Sequence, residues 1–186
     1  HTHVLPYFEN TRPSHDLRIW GAGCSAGQEA YTMAMAIDEH FGSRKALWDT
    51  TILATDISMN VLEKAKKAVY SEENIKDMPE RWKQKYMINL PNGSYQVRDR
   101  SKKQVIFRPF NLMDPFLFKK PFDLIFCRNV MIYFDSPTKD ALIRKFYQAT
   151  AAGGFLFIGH SEVINRETTH YRYIKPAIYQ KGGRSK

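Results

Sequence analysis

Apolar residues along this chain come in short runs separated by stretches of helical spacing, and each run stops at a polar or glycine-bearing turn. Leu17–Trp20 reads as a first short strand, interrupted by Gly21, Gly23 and Gly27. From Gln28 to Phe41, Tyr31, Met35 and neighbouring alanines recur at helical spacing, and Gly42 ends the run. Thr50–Thr55 reads as a buried parallel strand that stops at Asp56, with Ser58 placed to cap a helix through Lys67. Val105–Phe107, Phe122–Phe126 and Phe155–Ile158 are further core strands. Asp135-Ser136-Pro137 opens a helix expected to run to about Ala152, where Gly153-Gly154 closes it. Val130–Phe134 is an apolar turn or short helix, and Val4–Phe8 reads as the end of a helix broken at Arg12-Pro13-Ser14. Tyr171–Ile174 and Ala177–Gln180, joined around Pro176, suggest a closing hairpin.

Between Tyr70 and Lys103 the pattern changes. Met78-Pro79-Glu80 starts a short helix containing Trp82, and Lys85–Ile88 and Tyr95–Arg98 look like strands around the turn Pro91-Asn92-Gly93-Ser94. The segment is too long for a simple crossover, so we read a small antiparallel insertion on the main sheet, suited to recognising a partner. Elsewhere strands alternate with helices, the signature of an α/β domain with a mainly parallel sheet. In such a sheet the carboxyl ends of the strands share one edge, where ligands bind. Gly21–Gly27, Asp56, Asn111 and Cys127–Asn129 would all line one crevice there.

Composition narrows the class. A chain of 186 residues accommodates one domain with a sizeable core, and 43% hydrophobic content is ordinary for a globular protein. No apolar run approaches the ~20 residues that span a bilayer, and His1–Pro6 lacks a signal-peptide profile, so a cytoplasmic protein is expected. Cys24 and Cys127 stand far apart and the six histidines form no ligand pattern; neither a disulfide nor a metal is expected. The net charge of +9 favours an anionic partner, although much of it reads as a solvated face.

The glycine spacing is G-x-G-x-x-x-G, neither the dinucleotide fingerprint nor a phosphate loop, and is weak by itself. Joined to Asp56 it gains meaning. A carboxylate after the second strand, beside a glycine turn after the first, can accept hydrogen bonds from both ribose hydroxyls of a nucleoside cofactor.

Four segments together resemble the CheR family, the S-adenosylmethionine (SAM)-dependent protein-glutamate O-methyltransferases of bacterial chemoreceptors. They are Arg18–Tyr31 (RIWGAGCSAGQEAY), Ala54–Ile57 (ATDI), Phe122–Asp135 (FDLIFCRNVMIYFD) and Gly159–Glu162 (GHSE), in the family's order. The resemblance implies a Rossmann-like class I SAM methyltransferase over residues 1–186 with an inserted β-subdomain at about 70–104. It implies that Gly21 and Gly23 admit the cofactor, Glu29 meets its amino-acid end and Asp56 holds the ribose. Asn111 and Leu112 border the adenine, while Cys127, Arg128 and Asn129 complete the pocket. Tyr133, with Arg128, serves the reaction centre, and S-adenosylhomocysteine (SAH) is the product. Gln28 departs from the family's commoner glutamate. The family also carries an N-terminal helical domain and an Asn-x-Thr-x-Phe-Phe-Arg-like motif. This sequence begins just after where that motif falls, so the expectation is a catalytic domain without the helical one.

The implied partners are the glutamate-rich cytoplasmic methylation helices of chemoreceptors, contacted in part by the β-subdomain. The short loop Leu90–Ser94 argues against tethering to a receptor's C-terminal pentapeptide. Neither nucleic acid nor membrane insertion is expected. Two rivals remain at this level: a SAM methyltransferase acting on another substrate, and a non-catalytic SAM- or SAH-binding signalling module. The absence of an N-P-P-Y-type motif speaks against N-methylation.

Overall fold

A computed structural model describes residues 4–182, so the ends of the expected domain, residues 1–3 and 183–186, lie outside the described residues. In chain order the elements are α1 (Val4–Thr11), β1 (Ile19–Ala22), α2 (Gln28–Phe41), β2 (Ile52–Asp56), α3 (Met59–Lys67) and β3 (Val69–Tyr70). They continue with α4 (Glu80–Tyr86), β4 (Met87–Asn89), β5 (Tyr95–Val97), α5 (Asp99–Lys102), β6 (Val105–Pro109) and β7 (Phe122–Cys127). The last are α6 (Ser136–Ala149), β8 (Thr150–Ile158), β9 (Arg172–Lys175) and β10 (Ile178–Gln180).

One sheet has the order β6-β2-β1-β7-β8-β10-β9. Strands β6, β2, β1, β7 and β8 are parallel, and β10 enters antiparallel between β8 and β9. This is the mainly parallel sheet with a closing hairpin that the hydrophobic pattern predicts, in the Rossmann-like form that the resemblance implies. Helices cover both faces, so strand side chains alternate between two apolar layers. Ile19 packs with Met35, Ile37 and Phe41 on the α2 side. Its neighbour Trp20 packs with Ile125, Leu142 and Phe146 on the α6 side. There the Trp20 ring lies 4.8–5.8 Å from Phe110, Phe116, Phe118, Phe122 and Phe146, and its Nε1 donates to Thr55 Oγ1 at 2.9 Å. The N–H is thereby satisfied inside a wholly apolar setting.

Two boundaries differ from the sequence expectation. Strand β1 passes through Gly21 to Ala22, because Gly21 is paired on both sides, with Ala54 and Phe126. Helix α6 ends at Ala149, and Gly153 and Gly154 lie inside β8 rather than closing the helix. Thr150 Oγ1 donates to Phe146 O at 2.8 Å, and the chain then turns extended. The glycines serve a bulge: β7–β8 pairing shifts register between Phe122 and Leu124, and Gly153 adopts φ 76°. A Cβ there would come within 2.4 Å of the Tyr7 hydroxyl.

The insertion is a second sheet, β3-β5-β4, all antiparallel, with α4 beside it. It is fastened to α2 largely by side chains. The Tyr86 hydroxyl shares its one proton between Asp38 Oδ2 at 2.9 Å and Glu39 Oε1 at 2.7 Å. Arg81 and Lys85 pair with Glu39, and Arg100 pairs with Asp38, which is fully buried. Among the described residues no helix is long and apolar enough to cross a membrane.

Candidate functional site

The carboxyl ends of β1, β2, β6 and β7 open into a cleft of about 610 Å³, lined by Gly23, Ser25, Asp56, Ile57, Asn111, Leu112, Asn129 and Tyr133, among others. A pocket of this size suits a small organic ligand, for which ~300–1,000 Å³ is usual. Its floor is the turn after β1. The amides of Gly23 and Cys24 both donate to Thr55 O at 2.8 Å, tying the turn to the end of β2. Gly23 sits at φ 78°, and a Cβ there would approach Val130 Cγ2 to 2.4 Å. The turn therefore requires glycine both for its backbone angle and for the close approach of the loop after β7.

Asp56 organises the next strand end. Its Oδ2 accepts from the Ser25 amide at 2.8 Å and its Oδ1 from the Ser58 amide at 3.0 Å. Ser58 is the N-cap of α3 but makes no capping bond with its own side chain. Asp56 thus does the anchoring that the sequence suggested for Ser58. Each of its oxygens still has a lone pair for a ligand in the cleft.

After β6, Asn111 makes a tight turn. Its Oδ1 accepts from the Met113 amide at 2.9 Å and its backbone carbonyl accepts from the Asp114 amide at 3.0 Å. Leu112 is buried beneath. After β7, Asn129 takes a left-handed conformation, φ 59°, which asparagine tolerates better than most residues. Beyond it the Met131–Tyr133 turn leaves the Tyr133 ring 81% exposed at the mouth of the cleft.

The structure thus gathers Gly23, Asp56, Asn111, Leu112, Asn129 and Tyr133 around one space. It treats four other residues differently. Gly21 lies within β1, packed on Met33. Cys127 shares the inward phase of β7 with Ile125 and is wholly buried, which raises its thiol pKa well above the ordinary value. Glu29 and Arg128 pair with each other at 2.7 Å and border a second, smaller cavity of about 260 Å³ under α2, with Met33, Ile37 and Phe126. Burial raises the Glu29 carboxyl above its usual range, against the opposing pull of the Arg128 guanidinium.

One residue carries the site without having been singled out from the sequence. Glu162, after β8, is 8% exposed and accepts from four backbone amides: Asn129 at 3.1 Å, Val130 at 3.0 Å, Met131 at 2.7 Å and Gly159 at 2.5 Å. It fixes the loop that carries Asn129 and Tyr133. The Gly159–Glu162 segment was visible in the sequence, but nothing local reveals that its acid reaches amides about thirty residues upstream.

Comparison with known proteins places this arrangement. The family described as CheR methyltransferase, SAM binding domain, matches residues 1–179. A chemotaxis protein methyltransferase of Borreliella burgdorferi is 46% identical over 167 residues, covering 89% of this chain and 59% of that protein. The chemotaxis protein methyltransferase Cher2 of Pseudomonas putida is 35% identical, covering 95% of this chain and 66% of its own length. The Escherichia coli chemotaxis protein methyltransferase is 37% identical, with 81% and 54% covered. The chain thus spans between about half and two-thirds of the relatives it matches.

Proposed function

The chain belongs to the CheR methyltransferase family, whose SAM-binding domain it matches over nearly its full length, and from this we propose that it methylates glutamate side-chain carboxylates of bacterial chemoreceptors. The products on this reading are glutamyl methyl esters and SAH, made in the cytoplasm by the catalytic domain of a chemotaxis adaptation enzyme. The observation that carries the reading is the cleft that joins Asp56 at its floor to an exposed Tyr133 at its mouth.

The residues present fit the cofactor. Gly23 lines the cleft without a side chain of its own, and the free lone pairs of Asp56 suit a vicinal diol. Asn111 and Leu112 offer an amide and an apolar wall to a purine. Glu29 and Arg128, an acid beside a base on the adjoining cavity under α2, would exchange their own ion pair for the ammonium and carboxylate of an amino-acid end. When bound, SAM supplies a methyl group on a positively charged sulfur. The acceptor glutamate is already ionised at neutral pH, so no general base is needed. What this chain must do is align the carboxylate and strip part of its water. The Tyr133 hydroxyl is placed to orient that carboxylate, and its ring tolerates a neighbouring cation. The net charge of +9 speeds encounter with an acid-rich helix, and the β-subdomain adds contact area without a pentapeptide tether.

The first test is a calorimetric titration of SAH into this chain. One-to-one binding that Asp56→Ala abolishes supports the cofactor pocket, and no binding by the wild-type sequence counts against it. The acceptor is tested with a receptor cytoplasmic fragment and SAM carrying a labelled methyl group. Label that alkali releases as methanol identifies a carboxyl ester; alkali-stable label overturns the glutamate assignment.

A further inference from the structure

Lys145 is one of 28 basic residues in the chain, and among the described residues it forms no ion pair. Its ammonium turns inward from α6 and donates to three consecutive backbone carbonyls, Leu112 at 2.6 Å, Met113 at 3.1 Å and Asp114 at 2.9 Å. It also lies 4.7 Å from the centre of the Phe116 ring. A lysine has three donors, and here all three are spent on one turn. We propose that Lys145 is a positioning residue for the purine end of the cofactor, acting through Asn111. This inference rests on the cofactor assignment above.

The chain of cause runs through the peptide planes. With the carbonyls of Leu112 and Met113 drawn towards α6, the amides of Met113 and Asp114, in the same planes, point back towards Asn111. Both are taken up there, one by the side-chain oxygen and one by the backbone oxygen. A backbone N–H must meet an oxygen, so the orientation of the Asn111 side-chain amide is fixed. Its Oδ1 spends one of its two lone pairs on the Met113 amide, and its Nδ2, for which no hydrogen bond is found among the described residues, is left to donate into the cleft that Asn111 lines. With Oδ1 turned to the Met113 amide, Asn111 offers the cleft its Nδ2 donors. It welcomes an unprotonated ring nitrogen, as on the Watson–Crick edge of adenine, and rejects a protonated one, as on hypoxanthine. Lys145 is the clamp that keeps this amide from reversing.

The test is a pair of titrations, SAH and its hypoxanthine analogue S-inosylhomocysteine, on the wild-type chain, Lys145→Met and Lys145→Arg, with melting temperatures recorded alongside. The wild type should prefer SAH by tenfold or more. Lys145→Met should lower SAH affinity about tenfold and bring the ratio of the two affinities towards one, and Lys145→Arg, which keeps the charge and several donors, should restore most of both. A loss of general stability would not by itself change that ratio. A folded Lys145→Met with the wild-type ratio overturns the inference, as does a Lys145→Arg that behaves like Lys145→Met. If Lys145→Met does not fold, Lys145→Gln is read by the same ratio, and no change there overturns it. Wild-type chain that binds neither compound removes the cofactor assignment as well, which separates the two failures.

Discussion

The loops around the cleft and the β-subdomain beside α2 are both excursions from the main sheet, yet they are fastened by different chemistry. Around the cleft, charged side chains hold backbone: Asp56 and Glu162 collect amides, and Lys145 collects carbonyls. In the subdomain, side chains largely hold side chains, with Asp38 and Glu39 of α2 facing Arg81, Lys85, Tyr86 and Arg100. A carboxylate on several backbone amides has few rotamers left to sample, so it holds the loop in one geometry. Ion pairs on long, half-exposed side chains tolerate movement and are screened by salt. On the proposed reading the site is a frame of backbone held by charge and the subdomain a dock held by ion pairs over buried apolar residues such as Tyr86, Met87 and Val97.

The largest effect should come from Glu162→Gln, which leaves one acceptor oxygen for four amides. We expect a loss of about 3 kcal/mol, read by urea unfolding, since buried donors left unpaired cost ~1–3 kcal/mol each and some will find water. SAH binding should weaken more than tenfold. A loss below about 1 kcal/mol would mean the frame is not held as described. Asp38→Ala comes next, at about 2 kcal/mol, because the Tyr86 hydroxyl and the Arg100 guanidinium lose their shared partner. Amide exchange should rise in residues 70–103 and stay unchanged in 128–131; a uniform rise would erase the distinction between dock and frame.

Arg128→Met should cost about 1 kcal/mol at neutral pH, discounted because the guanidinium is partly exposed. The Glu29 carboxyl is already raised by burial and would rise further without its cation. A folded pKa above the unfolded one gives stability that is present at low pH and lost as pH rises through the folded value. The gap in melting temperature between Arg128→Met and wild type should therefore close as pH falls through the range where Glu29 takes up its proton. A gap that widens with acid contradicts this. The smallest effect on stability belongs to Tyr133→Phe, within about 0.5 kcal/mol for so exposed a ring. On the proposed reading it should cut methyl transfer at least tenfold while SAH affinity stays the same. Equal losses in both would move Tyr133 from the acceptor side to the cofactor side.

What the sequence made legible followed from local rules. Helix α2 begins and ends where expected, at Gln28 and Phe41, because Gly27 and Gly42 bracket an unbroken helical period. Asp56, Asn111 and Asn129 sit at strand ends, and strand ends are read from where apolar runs stop. The misses share a different origin. Gly153 and Gly154 looked like a helix terminator, yet their reason is a close approach to Tyr7 and Asp123, far away in sequence. Cys127 is a different case: the resemblance implies it for the pocket, and the alternation of β7 turns its side chain into the core. Glu162 and Lys145 were invisible because each binds backbone groups roughly thirty residues distant, and no side-chain pattern marks a peptide group as a partner.

The position of β10 has a consequence for biosynthesis. It is the last strand in the described chain but an interior one in the sheet, lying between β8 and β9. On the ribosome, β6, β2, β1, β7 and β8 are all available before it, and the cleft borders only strands from that early set. Until Ile178–Gln180 emerges, β8 presents an open edge and β9 has no neighbour to join. A chain lacking Ile178–Gln180 would hold every strand that borders the cleft in a sheet that is unfinished. In that state β8, paired to β7 on one side, offers its other edge to whatever strand is nearby. Lys181, following β10 directly, donates to the carbonyls of Tyr147 and Thr150 where α6 meets β8.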